Sequence, residues 1–367
     1  MRKTLTSILA GISLFGATAK AVTNDVYAYQ WGCDVQSAID ASQSGDVIDI
    51  KRGYYGYALT GGWIVSNKNL TFISTDGISI GQNQPTLLNN TGTSTVTFNN
   101  LGFISADYNS QTVVNSDQSN FIIRNSMFVN GIDYVIHNST GNLIADNNYF
   151  SGTEYTTQSG LVINNTQGQI DITRNFFGWN MNPIVINAET LESKLTLQPK
   201  QLSQNLTLNI ANNTLSVCYD AGITINGNVT AEGYIINNNI TDTPDAIRVE
   251  SNAPNIYFSN NNYFENGQLS LRGTALLNSQ TSNIGTNYTF NPLFENTGYS
   301  PVVDANSPLY GRGLYVDGLT TYMNPNATYI GSDNSTMAIP EPKTWHLAVG
   351  GILALIIGGR YGRNKSR

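Results

Sequence analysis

Asn147-Asn-Tyr-Phe150, Arg174-Asn-Phe-Phe177, Asn212-Asn-Thr-Leu215 and Asn237-Asn-Asn-Ile240 are four instances of one short phrase. Working outward, Asn100-Leu-Gly-Phe103 and Asn125-Ser-Met-Phe128 precede them and Asn261-Asn-Tyr-Phe264 follows. The closing apolar residues stand 25, 22, 27, 38, 25 and 24 positions apart. A recurrence of that length marks a stacked-repeat architecture, because no single unit can bury its own apolar face.

Counted back from each closing residue, two columns carry the physics. Five positions back the column runs Phe98, Ile123, Ala145, Ile172, Ile210, Ile235 and Ser259, the inward half of short alternating strands. Two positions back, Asn148, Asn175, Asn213, Asn238 and Asn262 form an asparagine column. Identical amides stacked at the strand spacing of about 4.8 Å bond one another and the turn backbone. Asparagine also tolerates the left-handed backbone that a tight bend needs. A second strand follows each phrase, at Tyr134–Ile136, Leu161–Ile163, Ile184–Ile186, Ile223–Ile225 and Ala246–Val249. Short strands wound repeatedly predict an all-β parallel solenoid, and the Leu-x-x-Leu-x-Leu signature of a leucine-rich horseshoe is missing.

The Ile-x-Asn-Asn-x-Ile/Phe phrase resembles the right-handed parallel β-helix repeat of the pectate-lyase-like superfamily, from about Asp34 to about Gly331. That resemblance implies a right-handed parallel β-helix. It says little about activity, since the superfamily spans lyases, glycoside hydrolases, adhesins and inert surface proteins.

The two ends read as signals. Residues 1–21 have the charged start, apolar run and Ala19-Lys-Ala21 cleavage pattern of an export peptide, so the mature chain is expected to begin near Val22. The domain is then expected over 22–336, with a cap helix at 34–42, coils over about 46–290 and a closing segment, 291–336, that plugs the far end. Asp34 caps that helix, and Val35, Ala38 and Ile39 share one face. The long interval between Asn187 and Gln204 reads as a projecting loop. In 337–367, Pro340-Glu341-Pro342 precedes a helix at 345–359 and a basic tail with Arg360, Arg363, Lys365 and Arg367. The order resembles the PEP-CTERM sorting signal of Gram-negative bacteria. That resemblance implies an exosortase-type sorting enzyme as partner and transient insertion of the helix in the inner membrane. The plain alternative is a retained anchor.

Without the two signals, 10 Lys plus Arg face 24 Asp plus Glu, near −14 (10 − 24). This argues against nucleic acid or an anionic membrane as partner, and mildly against a polyuronate unless calcium mediates. The expected protein is a monomeric, exported bacterial cell-surface β-helix that binds or structures extracellular polysaccharide. The alternative is a polysaccharide lyase or glycoside hydrolase.

Catalytic candidates are few. One histidine, His137, lies between the two signals, in a column that reads as solvent-facing. The Asp-Asp pair and Gly-His-Gly of the superfamily's polygalacturonases are missing. The remaining candidates for catalysis are Arg124, Asp146 and Asp171, an outward patch on adjacent coils, with Arg174 at its edge and Trp179 beyond as carbohydrate contacts. Arg248 and Glu250, with Asp242 and Asp245, form a second outward set, Arg248 and Glu250 being further carbohydrate-contact candidates. For both sets a surface ion-pair ladder is the plain alternative. No cofactor and no metal is expected, calcium entering only for a lyase. The two cysteines, Cys33 and Cys218, stand about six coils apart, an axial gap of roughly 25–30 Å at strand spacing, so both thiols are expected to be free.

Overall fold

The computed structural model describes residues 21–332 apart from 28–33, 52–56, 78, 83–85, 106–111, 130–132, 153–158, 166, 188–205, 227–230, 250–254, 265–270, 273–284, 294–305, 318 and 321–327. The expected export segment up to residue 20, Cys33, the interval expected to form a projecting loop, Glu250 and the expected sorting segment 337–367 lie outside the described residues. Among the described residues no helix is long and apolar enough to cross a membrane.

Three parallel sheets run the length of a β-solenoid, with ten, nine and nine strands. A representative coil takes Leu143–Asp146 into the first sheet, Tyr149–Ser151 into the second and Ser159–Asn165 into the third. The next coil repeats this with Gly168–Thr173, Phe176–Gly178 and Asn182–Asn187, each pairing in parallel with its predecessor. Alternation decides the inside. Phe121, Ile123, Leu143, Ala145, Ile170, Ile172, Leu208 and Ile210 point inward from the first sheet and are fully buried.

The phrase is the turn between first and second sheets. Its first residue sits at positive φ in coil after coil: Asn100, Asn125, Asn147, Arg174, Asn212, Asn237 and Asn260. Its second residue turns inward. Asn148 Nδ2 donates to Asn175 Oδ1 at 2.9 Å, Asn175 to Asn213 at 3.0 Å, and Asn213 to Asn238 at 2.9 Å. Each amide also takes the backbone N–H of the preceding coil's asparagine. At the last coil the expectation fails, because Asn238 pairs with Asn261 at 3.0 Å and Asn262 is not a member of the ladder. The register there is Ile235 against Phe258 and Ile240 against Tyr263, one residue earlier than the phrase ending at Phe264. A one-residue slip flips every side chain to the other face. Placing Ser259 inward would have turned Phe258 out to water, and burial of that ring decides the register. Asn262 instead donates to Asn239 Oδ1 at 2.9 Å and brackets the backbone of Phe290 with bonds of 2.7 and 2.8 Å.

The N-terminal end is closed by more than the cap helix. Val35–Ala41 buries Val35 and Ile39, and Asp34 accepts from the Ser37 N–H at 2.9 Å. The Gln36 amide bonds the Ile64 backbone at 2.8 and 3.3 Å, satisfying the edge strand Trp63–Ser66 of the third sheet. A strand the sequence reading lacked, Thr23–Tyr27, pairs with Val47–Lys51 and covers the edge of the first sheet.

The chain after the last coil divides in two. Residues 285–290 follow the last coil as an irregular continuation, with the Gly285 N–H on Phe258 and the Tyr288 N–H on Asn261. The described residues of 306–332 do not plug the end. They lie along the side, fastened to the turn asparagines of three successive coils. Asn237 clamps Leu314 at both its N–H (2.7 Å) and its carbonyl (2.8 Å), Asn212 donates to Tyr329 at 2.9 Å, and Asn260 to Arg312 at 2.8 Å. The positive-φ turns point those amides outward, so the residues that bend the coil also hold the strap.

His137 is a second correction. It is in register with Ser116 and Ile163, points inward and is fully buried. Its Nδ1 meets Asn165 Oδ1 at 2.6 Å and its Nε2 meets the Ser119 carbonyl at 3.1 Å. The polar partners stabilise an imidazole inside the core, which the column of Asn164 and Asn187 did not reveal. Burial depresses its pKa, and the two oxygens only partly offset that. A histidine with a depressed folded pKa binds protons more readily when unfolded, so its contribution is present above the unfolded value of about 6.5 and is lost as pH falls below it. The unfolding free energy from urea titrations should therefore decline as pH falls below about 6.5, by at most about 1.4 kcal/mol per pH unit, and His137→Gln should flatten that decline. A rise in stability over the same interval would mean that the buried ring is a cation.

Cys218 is buried and free, one residue past the left-handed Val217, where the chain turns into the third sheet. Burial pushes its thiol up to about 12.

Candidate functional site

The outward face of the first sheet carries the site. Strands Asn120–Arg124, Leu143–Asp146, Gly168–Thr173, Leu206–Ala211, Glu232–Ile236 and Asn255–Ser259 lie side by side. Their outward residues form rows along the axis. The middle row is Ile144, Asp171, Asn209, Tyr234 and Tyr257, each in register with the next. A flanking row is Gln169, Thr207, Glu232 and Asn255. Arg124 and Asp146 pair on the other flank, followed by Thr173.

These rows floor a groove of about 980 Å³, walled on one side by Val316, Asp317 and Leu319 of the strap. The wall is a tight turn in which Thr320 accepts the Val316 N–H at 2.7 Å and is itself fully buried. From Leu143–Asp146 to Asn255–Ser259 the floor extends roughly 19 Å at strand spacing. It is long enough for an extended oligomer. Gly233, between Glu232 and Tyr234, has φ +147°, and a Cβ there would lie 2.0 Å from the Leu208 carbonyl oxygen. Only glycine keeps that strand against its neighbour.

The three catalytic candidates do meet in this groove, but not as a reacting set. Arg174, at the left-handed turn position, folds back on Asp146 with Nε at 2.8 Å and Nη2 at 2.5 Å. Thr173 adds a bond of 2.8 Å to the same carboxylate. The bidentate fork leaves Asp146 committed as an acceptor. Asp171 stands two residues along the strand from Asp146's row and accepts from Gln169 Nε2 at 2.6 Å and Asn209 Nδ2 at 2.8 Å. Its oxygens are held by amides in fixed positions facing the groove. Arg174 thus acts through Asp146, and Trp179 lies at the far end of Phe176–Gly178, at the turn into the third sheet and outside the groove lining.

The second set is not wholly outward. Asp245 is buried at the inward parity of Ile247 and Val249, Asp242 sits at a left-handed turn, and only Arg248 of the described members points outward on the third sheet. Arg248 bonds Asp245 at 2.8 and 3.0 Å and Asp220 through both terminal nitrogens. These partners raise its pKa further and occupy the guanidinium fork.

The sequence reading missed the aromatic platform. Tyr234 and Tyr257 are neighbours in the middle row with ring centroids 6.3 Å apart, and Tyr234 is 38% exposed. The legible signal was their shared place between inward residues, Gly233 and Ile235 in one strand, Ile256 and Phe258 in the next. The one-residue error in the last coil concealed it, since that error turned Tyr257 inward. Among the described residues no group of three His, Cys, Asp or Glu is placed to hold a metal ion.

Fold and groove together define a parallel β-solenoid with a polar, aromatic-floored groove along one sheet. Protein-family models give no match to the chain, and a search of curated proteins gives none either.

Proposed function

We propose that this protein is an exported bacterial surface β-solenoid that binds extracellular polysaccharide in the first-sheet groove without cleaving it. The export peptide at 1–21 and the PEP-CTERM-like tail support delivery to the cell envelope, with an exosortase-type enzyme removing the tail. The observation that carries the binding reading is the alignment of Tyr234 and Tyr257 with Asp171, Asn209 and Gln169. Aromatic faces take the apolar face of a sugar ring, and fixed carboxylates and amides take its hydroxyls. The commitment of Asp146 to Arg174 argues against the lyase or hydrolase alternative, which asks that patch for a free acid or base.

The test is a panel of soluble polysaccharides, with and without calcium, followed by binding and by release of reducing ends or unsaturated products. Binding without product is expected. Tyr234→Ala combined with Tyr257→Ala should weaken it about tenfold or more, roughly 1.4 kcal/mol. Product release would make the protein an enzyme, and undiminished binding by the double variant would move the site off the groove.

A further inference from the structure

We infer that the groove selects a glycan bearing protonated amino groups, a deacetylated hexosamine polymer laid parallel to the solenoid axis. This inference rests on the binding reading above and assigns its ligand class. The groove and the tyrosine pair define where a chain lies, and the charges around them define which chain.

Asp146 is neutralised by Arg174. Among the described residues of the lining, that leaves Asp171 and Glu232 beside the guanidinium of Arg124. The charges are also segregated along the axis. Arg124 belongs to Asn120–Arg124, at one end of the floor, and Glu232 lies two residues from Tyr234, towards the other. Asp171 shares the row of Tyr234, two coils away.

A sugar ring stacked on Tyr234 displaces water from Glu232 beside it. A neutral ring leaves that carboxylate partly dehydrated and unpaired, which is unfavourable. A uronate adds like-charge repulsion from Glu232 and Asp171. An ammonium on the ring converts the same carboxylates into partners through charge-assisted hydrogen bonds. A bare divalent cation is the other ligand that an acidic groove suits, but no three described acidic residues come close enough to share one. The net charge near −14 between the two expected signals reinforces the sign of the local field and draws in a cationic polymer.

The experiment titrates the purified protein with four oligosaccharides of equal length at about pH 6, where amines are protonated and carboxylates ionised. The probes are a glucosamine oligomer, its N-acetylated form, a neutral glucan and a galacturonan. The glucosamine oligomer should bind about tenfold tighter than the acetylated or neutral ones, the galacturonan weakest of all. The advantage should shrink towards unity at about 1 M salt, where screening reaches about 3 Å. Glu232→Gln, a conservative change at an exposed position, should cut the amine-to-acetyl ratio at least about threefold. Equal binding of acetylated and free-amine oligomers, or a ratio unmoved by Glu232→Gln, overturns the amine selectivity and leaves glycan binding standing. Binding of none of the four, with none from the wider panel, overturns both.

Discussion

Asn213→Ala should lower the unfolding free energy by about 3–5 kcal/mol, a large part of the stability of an ordinary domain. Asn213 Nδ2 donates to the Ile172 carbonyl at 2.9 Å and to Asn238 Oδ1, while its Oδ1 accepts both the N–H and the Nδ2 of Asn175 at 2.9 and 3.0 Å. Truncation strands groups on the coils to either side, all of them buried, and each stranded group costs about 1–3 kcal/mol. Alanine also loses the preference of asparagine for the bend. Urea denaturation measures the loss, and hydrogen exchange should show it spreading to both neighbouring coils. Asn262→Ala makes the contrast. Its bonds go to Asn239 and Phe290, so exchange should quicken only in the last coil and the 285–290 segment. Protection lost equally at mid-solenoid in both variants would contradict the register assigned to the last coil.

The second large effect lies in the core. Phe103, Phe128, Phe150 and Phe177 stack with centroids 4.9, 5.0 and 4.8 Å apart, which is the strand spacing itself. Phe150, fully buried at the middle of that stack, also meets Tyr134 at 5.8 Å. Phe150→Ala should cost about 3–5 kcal/mol, because the parallel ladders above and below fix the coil spacing and prevent the cavity from collapsing. Phe150→Leu should cost under about 2 kcal/mol if shape is the main loss. A Phe150→Ala cost below about 1 kcal/mol would mean that the stack contributes little beyond filling space. Nearest-neighbour coupling in a solenoid predicts that this loss adds to that of Asn213→Ala, two coils away.

Much of this protein was readable one repeat at a time. The parallel solenoid, the inward alternation and four of the five named ladder asparagines follow from local rules. A strand has period two, an amide at a bend must bond something, and a unit with one apolar face must stack. Those rules act within a coil and between identical neighbours, so the chain spells them out. The same rules failed where two local readings competed. In Asn260-Asn-Asn-Tyr-Phe264 either of two adjacent asparagines satisfies the phrase, and only packing Phe258 against Ile235 chose between them. His137 failed for the same reason. A strand column is inward or outward as a whole, and register to Ser116 and Ile163 was needed to place it.

The groove was decided at a longer range. Its floor unites residues separated by whole repeats, and its wall comes from Val316, Asp317 and Leu319, shortly after Leu314, which Asn237 holds across 77 positions of sequence. Composition showed an acidic chain with a single histidine between the two expected signals. The tertiary structure alone put Tyr234 and Tyr257 on the row of Asp171, because stacking turns a periodicity along the chain into a continuous surface beside it.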